Sequence, residues 1–303
     1  MTQTETRPNI LHLMWSSIRP RHWIKSSFLI VPALFTLQIL DPHSWIRLLA
    51  GVLGFSLIAS SIYLINDIIN RSEDRLHPLK KHRPIASGLL SVGPASVFSM
   101  ICFVSGTILL GLANISAVQY GLGYFGLMIV YTVFLRSLYI IDVITIAIGF
   151  VLRIMAGANL IDEPVSYWLI LCTFTIAVFL GLIKRRQEIA AMTDTKPKPT
   201  RKVLSDYPSL SIVDGWINVL AGMTVLCYAL YTVDPQTIEK HHTGRLVYTL
   251  PFVLYGIFHY QSIALSGRQG EDPVQLISSD TRLRIVVAIW GVTVAGILYF
   301  AKM

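Results

Sequence analysis

Charge is what this sequence has least of. Asp, Glu, Lys and Arg make up 14% of its 303 residues, against 53% hydrophobic. With a mean hydropathy of +0.60, that balance excludes an ordinary soluble domain, in which about a quarter of residues are charged. Cysteine is nearly absent. Cys102, Cys172 and Cys227 all fall in apolar runs without metal-ligand spacing, which argues against a disulfide scaffold and a zinc site. A small-residue cleavage site is missing ahead of the first apolar run, so no cleavable signal peptide is expected. A convincing internal repeat is missing too, which removes the usual mark of a repeat-built transporter.

Long apolar runs are what the chain does have. Nine segments are long enough to cross a bilayer as helices, near residues 24–40, 46–70, 92–112, 115–135, 139–161, 166–184, 212–232, 246–265 and 283–302. The expected fold is all-α: a polytopic membrane protein, a bundle of nine transmembrane helices forming a single domain over 1–303. A polar cavity is expected at its cytoplasmic face, under cap loops at about 71–91 and 185–211.

The distribution of bases sets the orientation. With the N-terminus cytoplasmic, the outside segments hold only Arg47, Lys240, Arg245 and Lys302, and Arg153 lies within a span. The remainder of the 25 Lys and Arg residues lie inside or at inner span ends, among them Arg7, Lys196, Lys198, Arg201 and Arg268. The net charge of +8 therefore needs no nucleic acid. Anionic headgroups and phosphorylated substrates suffice. A multi-pass protein of the cell (inner) membrane is expected, with its site facing the cytoplasm.

The most informative stretch is Asn66 to Pro84, where amides and acids give way to bases at the end of an apolar run. On one continuous helix, Asp67, Asn70 and Asp74 would fall within roughly a 60° arc, spread over about 10 Å of rise. That is too long for one cation alone and matches a diphosphate carrying Mg²⁺. Lys80, Lys81 and Arg83 follow as candidates for phosphate oxygens. Mixed charges in the headgroup layer are the bland alternative. Against it, the carboxylates begin inside the apolar run, and an ionisable group at membrane depth is by default functional.

Other polar groups gather at the same expected face. Arg19 to Lys25 reads either as an interfacial anchor or, at Lys25, as a phosphate contact. Tyr63, Asn66 and Asp67 end the second expected span; Tyr131 and Arg136 end the fourth. In the fifth, Asp142, Thr145, Gly149, Arg153 and Ala156 share one stripe. Asp142 reads as a site residue, and Arg153, about 16 Å further along the axis, as a structural partner of buried carbonyls or polar groups. Lys184 and Arg185 are either a topogenic cluster or substrate contacts. His259 reads as a packing residue, and the loop from Gly270 to Asp280 carries no chemistry that spacing reveals. Gly121-x-Gly-x-x-Gly126 lacks the strand and βαβ unit of a dinucleotide site and reads as helix packing.

These motifs resemble the UbiA superfamily of intramembrane prenyltransferases. Asn66-Asp67-x-x-Asn70-x-x-x-Asp74 stands for that family's N-D-x-x-D-x-x-x-D. The resemblance is closer to its decaprenyl-phosphate phosphoribosyltransferase branch, through R-P-x-x-W-x-K at Arg19 to Lys25 and D-R-x-H-P-x-K-x-x-R-P at Asp74 to Pro84. The Asp142 to Arg153 pattern and K-R-x-x-E near Lys184 to Glu188 add to it. Asn70 departs from the usual aspartate, Ser26 from asparagine and Arg136 from the lysine of many relatives.

The resemblance implies a 5-phosphoribosyl transfer from phosphoribosyl diphosphate to a polyprenyl phosphate. It implies Mg²⁺ held by Asn66, Asp67, Asn70 and Asp74, and catalytic roles for Asp67, Asp74 and Asp142. Lys25, Tyr63, Lys80, Arg83, Tyr131, Arg136, Lys184 and Arg185 are implied as substrate-binding. An anionic lipid phosphate attacks without a strong base, so the lack of an obvious catalytic histidine is no objection. Oligomeric state stays open, a homo-oligomer included. The competing readings are a prenyl diphosphate-dependent prenyltransferase acting on an aromatic or quinone precursor, and a lipid carrier or transporter.

Overall fold

Regular structure is helical wherever the structure describes it, the arrangement that satisfies backbone groups within each segment where water is excluded. The computed structural model describes residues 9–193, 202–266, 276 and 279–302, and contains no strand among them. Arg7, Lys196, Lys198, Arg201, Arg268 and the stretch from Gly270 to Pro273 lie outside the described residues, as does residue range 194–201 of the expected second cap loop.

Helix α1 (Ile10–Ser17) and a 3₁₀ segment (Pro20–Ile30) lead into the short α2 (Val31–Thr36). Then follow α3 (Pro42–Ile69), α4 (Arg71–Leu76), α5 (Val92–Ala113), α6 (Val118–Val133), α7 (Ile141–Leu160), α8 (Tyr167–Thr193), α9 (Leu210–Val233), α10 (Pro235–His241), α11 (Leu250–Leu265) and α12 (Thr281–Lys302). Asp41 starts α3, its carboxylate accepting from the Ser44 N–H at 2.8 Å, with Pro42 in the first turn where a missing N–H costs nothing.

Six helices among the described residues are long and apolar enough to cross a membrane: α3, α5, α7, α8, α9 and α12. The other three expected spans are composite. Leu37, at φ 59°, ends α2, and the run before it is mostly 3₁₀. Helices α6 and α11 have 16 residues each, extended by 3₁₀ turns at Ile115–Ala117, Leu135–Ser137 and Arg245–Thr249. Apolar periodicity shows how far a greasy segment runs but not where its hydrogen bonds tighten.

Close backbone approaches fix how the helices pack. A Cβ on Gly54 would lie 2.8 Å from the Gly106 carbonyl oxygen, and one on Gly106 would lie 2.6 Å from that of Gly54, so α3 and α5 touch backbone to backbone. A Cβ on Gly157 of α7 would meet the Leu29 carbonyl oxygen at 2.0 Å. Bulk there would push the 3₁₀ segment, and the Arg19-to-Lys25 strip within it, off the bundle.

Polar contacts tie the two ends of the bundle separately. At one end Arg47 donates to Asp162 (2.6 Å), Asn114 to the Asn159 carbonyl (2.8 Å) and Lys240 to Glu163 (2.8 Å). At the other end Arg136 donates to Glu73 (3.1 Å), Gln187 to the Ala264 carbonyl (2.9 Å) and Arg186 to Asp214 (3.0 Å). This second end carries the polar clusters described next.

Candidate active site

The ladder of α3 runs on past its last residue. Asn70, at φ −93° and ψ 13°, joins α3 to α4 outside helical geometry, yet its N–H reaches the Asn66 carbonyl (3.0 Å) and its own carbonyl accepts from Asp74 N–H (2.8 Å). The continuous helix expected from spacing is thus two helices with a joint. Asp67 and Asp74, read as two turns apart, instead meet at one guanidinium: Arg83 Nη1 lies 3.0 Å from Asp67 Oδ1 and 2.6 Å from Asp74 Oδ2.

Both carboxylates are buried, 3% and 4% exposed. Unpaired, each would be costly there. A second guanidinium, Arg19, donates to Asp67 at 2.5 Å, and the Lys80 ammonium stands 4.0 Å from Asp74. Arg19 lies over the Tyr63 ring at 5.0 Å, and His22 packs on the same ring. Trp23 donates to Ser60 Oγ (3.0 Å), which itself donates to the Ile18 carbonyl (3.0 Å). The strip read as either an interfacial anchor or, at Lys25, a phosphate contact is therefore stitched to α3, and its Arg19 joins the Asp67–Asp74 cluster, a partnership that local spacing did not single out. Its signal was the R-P-x-x-W-x-K pattern.

His77 shapes the basic turn. Its Nδ1 accepts from the Leu79 and Lys80 N–H groups at 3.2 and 3.3 Å. Burial, then the charge of Lys80, pushes the imidazole below its ordinary value, so the ring stays neutral and able to accept.

A second cluster forms where α7 meets α8. Asp142, fully buried, accepts from Arg185 Nε at 2.7 Å and from the Tyr207 hydroxyl at 3.0 Å. Arg185 also pairs with Glu188 through its Nη1. Tyr131 lies within electrostatic reach of that guanidinium. Burial and the neighbouring Asp142 charge raise the Tyr207 hydroxyl, which stays protonated as a donor. Just before α7, Ile140 sits at φ 65°, a conformation a β-branched residue adopts at a cost of about 1–3 kcal/mol, and its backbone bonds the same Tyr207 hydroxyl. Arg19, at φ 52°, is likewise in the left-handed region.

The remaining candidates are spread around these clusters. Arg136 is occupied with the exposed Glu73. Lys25 and Tyr63 lie within electrostatic reach of the Tyr124 hydroxyl. Lys184 is half-buried on α8 beside Arg185, and Asn66 half-buried beside Asp67. Arg153 is buried, with Nη1 donating to the Gly149 carbonyl (3.0 Å) and Nη2 to Tyr124 (2.8 Å). His259 stacks on Tyr255 and bonds Asp280 at 3.3 Å.

The donors at the α3–α4 joint suit a hard cation. Asp67, Asp74 and the amide oxygens of Asn66 and Asn70 are all oxygen ligands, the class Mg²⁺ takes. Among the described residues no three His, Cys, Asp or Glu side chains converge. Two carboxylates with room left for phosphate oxygens is how Mg²⁺ is commonly held in phosphoryl sites.

The UbiA prenyltransferase family model matches residues 28–300. The chain belongs to the UbiA prenyltransferase family. It is an integral membrane protein and an enzyme of that family. Its relatives include the decaprenyl-phosphate phosphoribosyltransferase of Mycolicibacterium smegmatis, 28% identical over 97% of this chain and 94% of that protein. The protein of the same name from Corynebacterium glutamicum is 27% identical over 97% and 89%. The UbiA fold is shared with a UbiA homolog from Archaeoglobus fulgidus bound to GPP and Mg²⁺, at TM-score 0.70 and 18% identity, covering 95% of this chain and 99% of that one. The apo UbiA homolog from Aeropyrum pernix aligns at TM-score 0.62 and 14% identity, over 93% and 98%.

Proposed function

We propose that this UbiA-family enzyme transfers a 5-phosphoribosyl group from phosphoribosyl diphosphate to a polyprenyl phosphate of decaprenyl type, releasing diphosphate. The observation that carries the reading is the joint at Asn70, where two buried carboxylates and two guanidiniums converge within one cluster. Such a cluster suits a highly charged, metal-bound diphosphate better than an uncharged substrate. The relatives named for this reaction along nearly the whole chain support it.

In this reading Asp67 and Asp74 hold Mg²⁺, with Asn66 and Asn70 assisting. Bound there, the ion supplies neutralisation of the charge that develops on the departing diphosphate. The bond from ribose C1 to the diphosphate oxygen breaks, the electron pair leaving with diphosphate. The lipid phosphate oxygen then forms the new bond to C1. Arg83 and Lys80, released from the carboxylates, turn to the diphosphate oxygens. Lys25, Tyr63, Tyr131, Arg136, Lys184 and Arg185 serve the remaining phosphate and ribose groups. Asp142 acts chiefly by fixing Arg185 and Tyr207.

The wider frame belongs to the same proposal. The three composite segments complete nine crossings: at about 2.0 Å per 3₁₀ residue and 1.5 Å per α residue, each spans roughly 30 Å or more. The chain forms one domain of the inner membrane, with its N-terminus, cap loops and polar chamber cytoplasmic. The base-rich end is the one carrying both clusters.

Incubating the purified protein with radiolabelled phosphoribosyl diphosphate, polyprenyl phosphate and Mg²⁺ tests the reading. Labelled lipid that disappears on chelation is expected. Alkylation of an aromatic acceptor by a prenyl diphosphate, with no labelled lipid formed, would replace it with the prenyltransferase alternative.

A further inference from the structure

Arg153 is a buried cation among aromatic rings. It is 4% exposed and lies in the middle of α7. It makes no ion pair among the described residues; three aromatic faces surround its guanidinium instead, Tyr124 at 4.3 Å and Phe55 and Phe150 at 5.4 Å each. A guanidinium has five N–H donors. Here one nitrogen reaches the Gly149 carbonyl, another reaches Tyr124, and Nε has no acceptor. Aromatic faces offset part of the cost of burying that charge, but they leave the donor unsatisfied.

Other groups near Arg153 can donate as well. By accepting from Arg153, the Tyr124 hydroxyl keeps its own proton to give elsewhere. A second cation, Lys25, and the Tyr63 hydroxyl lie within electrostatic reach of Tyr124. Tyr63 in turn underlies Arg19, which bonds Asp67. Tyr63 and Lys25 thus stand between the carboxylate cluster and Arg153, and the polar groups beside Arg153 can donate to an anion. What would satisfy the Arg153 Nε is an anionic group rich in acceptors, and a phosphoryl group has three terminal oxygens.

We propose that Arg153, with Tyr124 and Lys25, is a phosphoryl-binding floor at the inner end of the site, taking the phosphomonoester that the Asp67–Asp74 cluster does not hold. The inference deepens the proposed function and rests on it. Both substrates of that reaction offer the chemistry: the ribose 5-phosphate group of the donor and the phosphate of the lipid acceptor. A purely structural Arg153 would serve only to staple Gly149 to Tyr124.

The experiment measures thermal stabilisation of the full-length protein in detergent, without Mg²⁺, by ribose 5-phosphate and separately by farnesyl phosphate. Wild type is compared with Arg153→Met and Arg153→Lys. One probe should lose its effect, its half-saturating concentration rising roughly tenfold or more in Arg153→Met and several-fold in Arg153→Lys, which keeps the charge without the fork. Loss with ribose 5-phosphate identifies the donor as the source; loss with farnesyl phosphate identifies the lipid. Methionine should leave the ligand-free protein as stable as wild type or more so, since an uncompensated charge is removed. If Arg153→Met does not fold, Arg153→Lys alone decides. Unchanged half-saturation with both probes in a folded variant, or no stabilisation of wild type by either, overturns the proposal. Arginine-dependent binding in a protein that makes no labelled lipid would instead keep the subsite and discard the reaction.

Discussion

Arg83 donates through a single nitrogen to both Asp67 and Asp74, which lie seven positions apart on either side of a helix joint. The two carboxylate oxygens can be no further apart than those two bonds laid end to end. Replacing Asp67 or Asp74 with Asn keeps the size and removes the charge. Transfer should fall by roughly 100-fold or more in kcat for each, the scale of losing one electrostatic contact to a developing charge. Arg83→Lys should instead act mainly on the KM for the diphosphate donor, because an ammonium can replace the single-nitrogen bridge but lacks the planar fork that grips phosphate oxygens in pairs. Steady-state kinetics on all three variants check this. Wild-type turnover by Asp67→Asn would remove the metal role from this cluster.

Asn70 offers a gain-of-function test. Its amide donates to both the Asn66 side chain and the Asn66 carbonyl, at 2.8 Å each. Asn70→Asp loses both donors and places a third negative charge beside Asp67 and Asp74. In EDTA the variant should therefore melt below wild type. With Mg²⁺ the order should reverse, and the half-saturating Mg²⁺ concentration should fall about three- to tenfold, since ligand charge tunes cation affinity. A melting series against Mg²⁺ reads both arms.

His77 gives a pH dependence with a definite sign. Its folded pKa is depressed from 6.5 by burial and by Lys80. The unfolded state therefore binds the proton more readily, and the stability this ring contributes is present above the unfolded pKa, about 6.5, and lost as pH falls from there through the lower folded pKa. Protonation also converts Nδ1 from an acceptor of the Leu79 and Lys80 N–H groups into a donor facing them. Activity should decline as pH falls through the folded pKa, which lies under 6.5, with a rising KM for the donor. His77→Asn, which retains an acceptor, should flatten that limb; an unchanged profile would show that another group sets it.

The helical class, the charged stretch that ends the second apolar run and the polar stripe bearing Asp142 were legible because apolar periodicity and an acid inside a greasy run are local signals. The partners of those acids were not. Arg19 lies 48 residues from Asp67, Arg185 43 from Asp142 and Tyr207 65 from Asp142. No spacing rule connects positions brought together by helix packing. Hidden too was the joint at Asn70, since one residue leaving helical dihedrals scarcely alters an i, i+3, i+7 pattern. Composition could not show that Arg185, read as a substrate contact, already faces Asp142 and Glu188.

That last pairing yields a test of how the second cluster works. Asp142 holds two donors from separate elements: Arg185 from α8, and Tyr207 from the segment before α9. If both act through the one carboxylate, removing the tyrosine hydroxyl matters only while that carboxylate is charged. Tyr207→Phe alone should lower melting stability by about 1–3 kcal/mol, the cost of stripping a partner from a buried charge, and raise KM more than it lowers kcat. In an Asp142→Asn background the same change should cost much less, giving a coupling of roughly 1 kcal/mol or more in a double-mutant cycle. Additive effects would mean that Tyr207 packs against α7 without helping to set the charge on its first turn.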